Sequence, residues 1–307
     1  MMKEIYDLLI LGTGPAGMAA AIYAGRYGLR TLIIGKEVGG TTNLAGEIEN
    51  YPGFTGTGID LMKKFEEQAK AFGAVFMVGD IDKLEKIENG FRVSVGGKKF
   101  EGHAIVGGLG SEYRKLGIPG EKEFLGKGVS YCAVCDGNFF KGKTVAVIGG
   151  SDSAAKTAIY LASICEKVYI SYRKEKMRCE PINLKKILAT KNIEIIYNTQ
   201  PVEIVGNVRV TGLKLESSIG RKLDKNLIGI DGVFIEIGST PVTRIFEGVG
   251  VELENGHIKV DKEGRTSVEG LYATGDGTNN PFKQTITATA DGALAAKAVY
   301  DYLNFEN

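Results

Sequence analysis

Two stretches of this chain repeat one order of residue types, and that order leaves few folds open. Residues 5 to 34 run from an apolar segment, IYDLLIL, through the glycine loop GTGPAG into the alanine-rich stretch AGMAAAIYAGRYG, and on to a second apolar segment, TLII. A strand, a tight turn, a helix and a parallel strand fit that order, because parallel strands need a helical crossover of about this length. The same order returns as KTVAVIGG at 143 to 150, then SDSAAKTAIYLASIC, then KVYISY at 167 to 172. The two copies stand much too far apart for a solenoid repeat. The chain therefore reads as an α/β protein with two Rossmann-like dinucleotide-binding domains.

The glycines of the first loop have separate tasks. Gly12 permits the tight turn, Gly14 lets the backbone approach a pyrophosphate, and Gly17 lets the helix pack closely on the strand. The helix N-terminus then favours the phosphates. The spacing alone also fits a purely structural turn; its place between strand and helix favours a ligand. Leu8 to Gly25 carries no charge, yet three glycines and Pro15 break it, so it is not a membrane helix. Where the second unit's second strand ends, RKEKMR sets Arg173, Lys174 and Arg178 at the ribose position. Cations there suit a 2′-phosphate, hence NADP, although a solvated basic loop has the same composition. In the first unit, IIGKE has Gly35 at the usual acid position and Glu37 two places later, so that site is not plainly one for NAD.

A chain of 307 residues, 43% of them hydrophobic, is long enough for two domains with their own cores. Lys and Arg total 38 against 37 acids, and a net charge of +1 gives no field to attract nucleic acid or an anionic membrane. The N-terminal MMKEIYD meets Glu4 and Asp7 too early for a secretory signal, so a cytoplasmic protein is expected. Residues 75 to 110 alternate short apolar runs with turn glycines and are expected to form an antiparallel excursion. KLGIPGE at 115 to 121 and EIGSTPVTR at 236 to 244 mark crossings between domains, and the C-terminal segment is expected to rejoin the first domain.

YCAVCDGNFF, residues 131 to 140, places Cys132 and Cys135 three apart with Asp136 directly behind. Four cysteines in so long a chain are too few for a secreted disulfide framework. A zinc site needs four ligands, and Cys165, Cys179, His103 and His257 are scattered singly. A redox pair and two small buried hydrophobes both remain open on the residues alone. Cys165 reads as a helix-face core residue and Cys179 as a loop thiol.

Taken together, the motifs resemble the low-molecular-weight thioredoxin reductase family of flavoproteins, from Tyr6 to Leu303. The landmarks are GTGPAGMAAAIYAGR, ENYPGF, YRKLGIPGE, GVSYCAVCDG, VAVIGGSDSA, and GLYATGDGTN followed by KQTITATADGALAA. The resemblance implies an FAD-binding domain in two parts, 1–114 and 243–307, interrupted by an NADPH-binding domain, 115–242, that carries the C-x-x-C. It implies FAD at Gly12, Gly14, Pro15, Ala16 and Gly17, along Lys36, Glu37, Gly40 and Thr41, and beside Asn50, Gly275, Asp276, Lys283, Gln284 and Thr285. It implies NADPH at Gly149, Gly150, Ser151, Asp152 and Ser153, with Arg173, Lys174 and Arg178. One chain with two dinucleotide sites and a C-x-x-C then holds all parts of an electron relay, and the redox reading of the cysteines prevails. By resemblance Cys135 faces the flavin and Cys132 exchanges with a thioredoxin-like protein. Asp136 stands where a proton donor is needed, since no histidine follows His257; capping a helix is its plainer role. The family also implies a homodimer and an inserted domain that rotates on its two linkers.

The chain departs from the family pattern twice. Ser151 replaces the third glycine of the NADPH loop, putting a side chain where close backbone approach is needed. GGLGSEYRKL at 107 to 116 replaces the usual Ala-Thr-Gly, so Gly108 and Leu109 are expected to alter packing beneath the cofactor. Two alternatives follow: the same disulfide reductase fed by reduced ferredoxin or a deazaflavin, or a non-catalytic redox-sensing flavoprotein.

Overall fold

The strand Ile5–Leu11 has Leu8, Leu9, Ile10 and Leu11 all fully buried, as expected where a parallel sheet is covered on both faces. Alternation sends Leu8 and Ile10 into one core and Leu9 and Leu11 into another. The computed structural model describes residues 5–45, 48–223 and 226–306. The chain divides into two units: Met1–Glu112 with Thr240–Asn307, and Tyr113–Ser239.

In the first unit the strand order is Val75–Val78, Thr31–Gly35, Ile5–Leu11, Lys98–Gly107, Gly90–Val95, Ile81–Ile87. Leu271–Ala273 pairs in parallel with the C-terminal end of Lys98–Gly107. The helices Pro15–Arg26 and Thr285–Asp301 share the core on one face, where Met18, Ala20, Ala295 and Val299 are buried with Leu8 and Ile10. These helices approach closely: a Cβ at Gly292 would lie 2.0 Å from the Ala16 carbonyl oxygen.

The antiparallel excursion expected over 75 to 110 is only partly found. Ile81–Ile87, Gly90–Val95 and residues 98–102 do pair antiparallel. Val75–Val78, however, is a parallel edge strand beside Thr31–Gly35, and residues 101–107 run parallel to Ile5–Leu11. The amphipathic helix Gly58–Ala71, with Leu61, Met62 and Ala69 buried, provides the crossover that makes a parallel edge strand possible. The C-terminal segment does rejoin the first unit, as strand, 3-10 turn and helix.

The second unit has a five-stranded parallel sheet in the order Val129–Ser130, Gly232–Ile235, Thr144–Ile148, Lys167–Tyr172, Ile193–Tyr197. The order reverses at Thr144–Ile148, and in such sheets ligands bind beyond the carboxyl ends of the strands at that point. The helix Asp152–Ala162 follows this strand directly. An antiparallel group, Thr199–Gly206, Val210–Ser217 and Leu227–Gly229, packs Leu213, Leu215 and Ile228 into a core with Ala146, Ile148 and Val233. Both units are thus doubly covered parallel sheets with antiparallel additions, the α/β arrangement expected.

Candidate active site

In the first unit the loop residues meet around the N-terminus of Pro15–Arg26. Gly12 has φ +122°, and a Cβ there would lie 2.0 Å from the Gly108 carbonyl oxygen. A Cβ at Gly17 would lie 1.8 Å from the Gly12 carbonyl oxygen, so both positions exclude any side chain. Gly14 differs, since a Cβ there would meet no atom within 4 Å. Gly14 is the N-cap and offers no side chain, and Pro15 begins the helix, so the first-turn N–H groups of Ala16 and Gly17 face a cradle open at Gly14. Two further turns border this cradle. A Cβ at Gly40 would lie 3.3 Å from Gly14 Cα, and one at Gly275 would lie 3.2 Å from Ala16 Cβ.

The departure at 107 to 110 belongs to this cradle. The Gly108 N–H donates to the Leu11 carbonyl at 2.6 Å, which holds Gly108 under Gly12. A Cβ at Gly107 would lie 2.5 Å from the ring of Phe246, a fully buried side chain, so Phe246 fills the space that a larger residue at 107 would need. Leu109 packs beside the same core.

The remaining first-unit candidates fall into pairs. Asn50 donates to Gln284 Oε1 at 3.0 Å, and the hydroxyls of Thr285 and Thr42 are 3.3 Å apart. Gln284 and Thr287 form a capping box at the start of Thr285–Asp301. Burial pushes the Asp276 carboxyl up from its ordinary value, against the opposing pull of Lys283, and burial likewise lowers Lys283. The Lys283 ammonium donates to the Thr278 carbonyl. The Glu37 carbonyl accepts from the Thr13 hydroxyl at 2.7 Å, which ties the end of the second strand to the glycine loop. Lys36 is exposed and pairs with Asp80 at 2.9 Å, and Thr41 is exposed.

In the second unit, Gly149 has φ +147°, and a Cβ there would lie 2.2 Å from the Glu236 carbonyl oxygen. A Cβ at Gly150 would lie 2.5 Å from the Tyr172 ring. Ser151 is the N-cap of Asp152–Ala162 but makes no capping bond, its hydroxyl lying 3.1 Å from that of Ser153. Asp152 faces the next helix, its Oδ1 accepting from the Glu180 N–H at 2.7 Å and from Asn183 at 2.9 Å. The Arg178 N–H donates to the Gly150 carbonyl at 2.7 Å, so the basic loop is fastened to the glycine loop. Arg173, Lys174 and Arg178 are all exposed.

Cys132 and Cys135 are joined as a disulfide with Cα atoms 5.3 Å apart. Cys132 caps the short helix Ala133–Asp136, its Sγ accepting from the Cys135 N–H at 3.0 Å. Cys135 is exposed and Cys132 half-buried. Asp136 makes no side-chain cap bond to the turn that follows. Its Oδ2 instead accepts from the Ser130 hydroxyl at 2.6 Å, and Ser130 Oγ accepts from the Cys132 N–H at 3.0 Å. One serine therefore links the carboxyl group to the backbone of the cysteine.

Ser130 was not singled out by the sequence, nor were Tyr131 and Glu121, although all three lie in landmark motifs. Glu121 is buried and accepts from the Leu116 N–H at 2.8 Å, the Gly117 N–H at 2.7 Å and the Tyr131 hydroxyl at 2.6 Å. Burial and the Glu121 carboxylate hold the Tyr131 phenol far above its usual range. Tyr131 also stacks on Tyr113 at 5.8 Å between centroids. The residue before Cys132 is thus anchored on both its ring and its hydroxyl. Of the free cysteines, Cys165 is buried and Cys179 half-buried. Among the described residues no group of His, Cys, Asp and Glu is arranged to hold a metal ion.

Comparison with known proteins agrees with this geometry. The family model for pyridine nucleotide-disulphide oxidoreductases matches residues 6–292. The chain is 41% identical over 304 residues to thioredoxin reductase of Listeria monocytogenes, covering 98% of this chain and 95% of that one. It is 40% identical to thioredoxin reductase of Bacillus subtilis, covering 98% and 96%. Its structure matches Lactococcus lactis thioredoxin reductase in the FR conformation with a TM-score of 0.93 and 35% identity, covering 97% of this chain and 99% of the other. With these matches spanning both glycine loops and the cysteine pair, the chain belongs to the pyridine nucleotide-disulphide oxidoreductase family, among the low-molecular-weight thioredoxin reductases.

Proposed function

We propose that this protein is a flavoprotein thioredoxin reductase that carries electrons from NADPH through FAD and the Cys132–Cys135 disulfide to a thioredoxin-like protein. The observation that carries this reading is the closed disulfide on a unit with its own glycine loop, in a chain whose other unit holds a second glycine cradle. The first cradle suits FAD: a Cβ at Gly14 would meet no atom within 4 Å, the first-turn N–H groups of the helix have no intrahelical partner, and the turns at Gly40 and Gly275 border it. Residues 1–114 and 243–307 would then be the FAD-binding domain and 115–242 the NADPH-binding domain. When bound, the flavin supplies a two-electron acceptor between a nicotinamide hydride and a disulfide.

This chain's residues do the rest. Gly12, Gly14, Ala16 and Gly17 would hold the pyrophosphate by their backbone, and Asn50, Lys283, Gln284 and Thr285 would lie on the side of the ring. Arg173, Lys174 and Arg178 would meet the 2′-phosphate. Two electrons and two protons open the disulfide to a dithiol. The Cys132 thiolate then attacks the partner's disulfide, one partner sulfur leaves, and Cys135 displaces the other to restore the original bond. Asp136 supplies a proton to a leaving thiolate.

Nicotinamide and disulfide would belong to one unit while each must reach the same flavin, so the inserted unit would turn on its two crossings. We further read the protein as a cytoplasmic homodimer. No described helix is long and apolar enough to cross a membrane. A second reading, with reduced ferredoxin or a deazaflavin as donor to the same disulfide, is favoured by Ser151 at the NADPH loop. Anaerobic titration of the FAD-loaded protein with each donor, followed by addition of oxidised thioredoxin, tests both. NADPH should bleach the flavin and yield thioredoxin dithiol, and Cys132→Ser should block the second step alone. Bleaching without any thioredoxin dithiol would contradict the reductase reading.

A further inference from the structure

We propose that Glu236 selects the electron donor, its carboxyl group admitting a dinucleotide at the second glycine loop when protonated and opposing it when ionised. The inference rests on the reading of that loop as the NADPH site. Glu236 follows the strand Gly232–Ile235, beside Thr144–Ile148, at the carboxyl ends where the sheet order reverses. Its N–H donates to the Ile148 carbonyl at 2.8 Å, and its own carbonyl oxygen lies 2.2 Å from where a Gly149 Cβ would be. The backbone of Glu236 is therefore one wall of the loop.

Its side chain turns along the helix that the loop begins. Glu236 Oε1 accepts from the Thr157 hydroxyl at 2.7 Å, and the Ser153 hydroxyl reaches the same carboxyl group. Ser153 and Thr157 are four apart and so lie on one helical face. A carboxyl group thus runs beside the first turns of the helix whose N-terminus would meet the pyrophosphate. The other groups facing it do not neutralise it. Tyr113 is the titratable neighbour, its phenol pushed up to about 12 by burial first and by Glu236 second. The helix offers two hydroxyls, and the adjoining strand and loop offer Ile148 and Gly149. Among the described residues no Lys, Arg or His pairs with Glu236.

The sign follows from burial, which raises the Glu236 carboxyl above its ordinary value despite the two hydroxyl bonds. Below that raised value the group is neutral and leaves the anion site to the ligand. Above it, a fixed negative charge stands beside the first turns of the helix whose N-terminus would meet two phosphates. One such charge weakens binding by about tenfold or more. Ser151 and Glu236 then act in the same direction, which marks NADPH as a donor this chain discriminates against once that carboxyl group is ionised.

The test is calorimetric binding of NADP⁺ to the FAD-loaded protein and to Glu236→Gln, from the ordinary carboxyl value of 4.5 up to about pH 9. The ratio of the two dissociation constants cancels the titration of the ligand's own 2′-phosphate. That ratio should rise with pH and level off at about tenfold or more in favour of the variant. A ratio that does not change with pH, or equal affinities at pH 9, would overturn the proposal. Glu236→Ala gives the same discrimination should the glutamine variant misfold. Reduction of thioredoxin by dithionite-reduced protein needs no nicotinamide and checks the reductase reading separately. Failure there, with the ratio still rising, leaves the role of Glu236 standing.

Discussion

Ser130 joins the chemistry of Asp136 to that of Cys132. Its hydroxyl has one proton, given to Asp136 Oδ2 at 2.6 Å, and its oxygen takes the Cys132 N–H at 3.0 Å. The carboxyl group is thereby tied through Ser130 to the backbone of Cys132. If Asp136 supplies the proton, Asp136→Asn should slow exchange with thioredoxin by about a hundredfold while flavin reduction by the donor keeps its rate. Ser130→Ala leaves the acid in place but unaligned, and should cost about tenfold, within the range for a positioning hydrogen bond. Rapid-mixing measurements separate the two half-reactions, and unchanged exchange in Asp136→Asn would remove it from the mechanism. The sequence marked Asp136 by adjacency alone. Ser130 stayed hidden because its link to Asp136 exists only once the short helix Ala133–Asp136 has formed.

Among the elements, the pairing of Pro15–Arg26 with Thr285–Asp301 shows how local propensity and packing compete. Gly292 lies inside a helix, where alanine is ordinarily better by about 0.5–1 kcal/mol. Here the added Cβ would lie 2.0 Å from the Ala16 carbonyl oxygen, and backbone cannot yield as a side chain can. Overpacking of this kind costs about 1–3 kcal/mol. Gly292→Ala should therefore lower Tm and loosen FAD by displacing Ala16; a rise in Tm would show that propensity wins. The glycine loops were legible in the sequence because their spacing is a local property of strand, turn and helix. The parallel placement of Val75–Val78 was not, since its partner Thr31–Gly35 lies far back in the chain and the edge strand is too short to show a period. The substitutions at 107 to 110 likewise gained meaning only from Gly12 and Phe246, which no neighbouring residue announces.

At the scale of the whole molecule, two glycine loops and one disulfide divide the labour of a two-electron relay between two units. Composition set the outer bounds, with charges nearly balanced at +1 and a chain long enough for both cores. In the proposed relay the sulfurs of Cys132 and Cys135 receive the electrons. Anaerobic reductive titration of the FAD-loaded protein counts them directly. The parent should take up two electron equivalents for the flavin and two more for the disulfide, whereas Cys132→Ala with Cys135→Ala should stop after the first two. Equal uptake by both proteins would contradict the account.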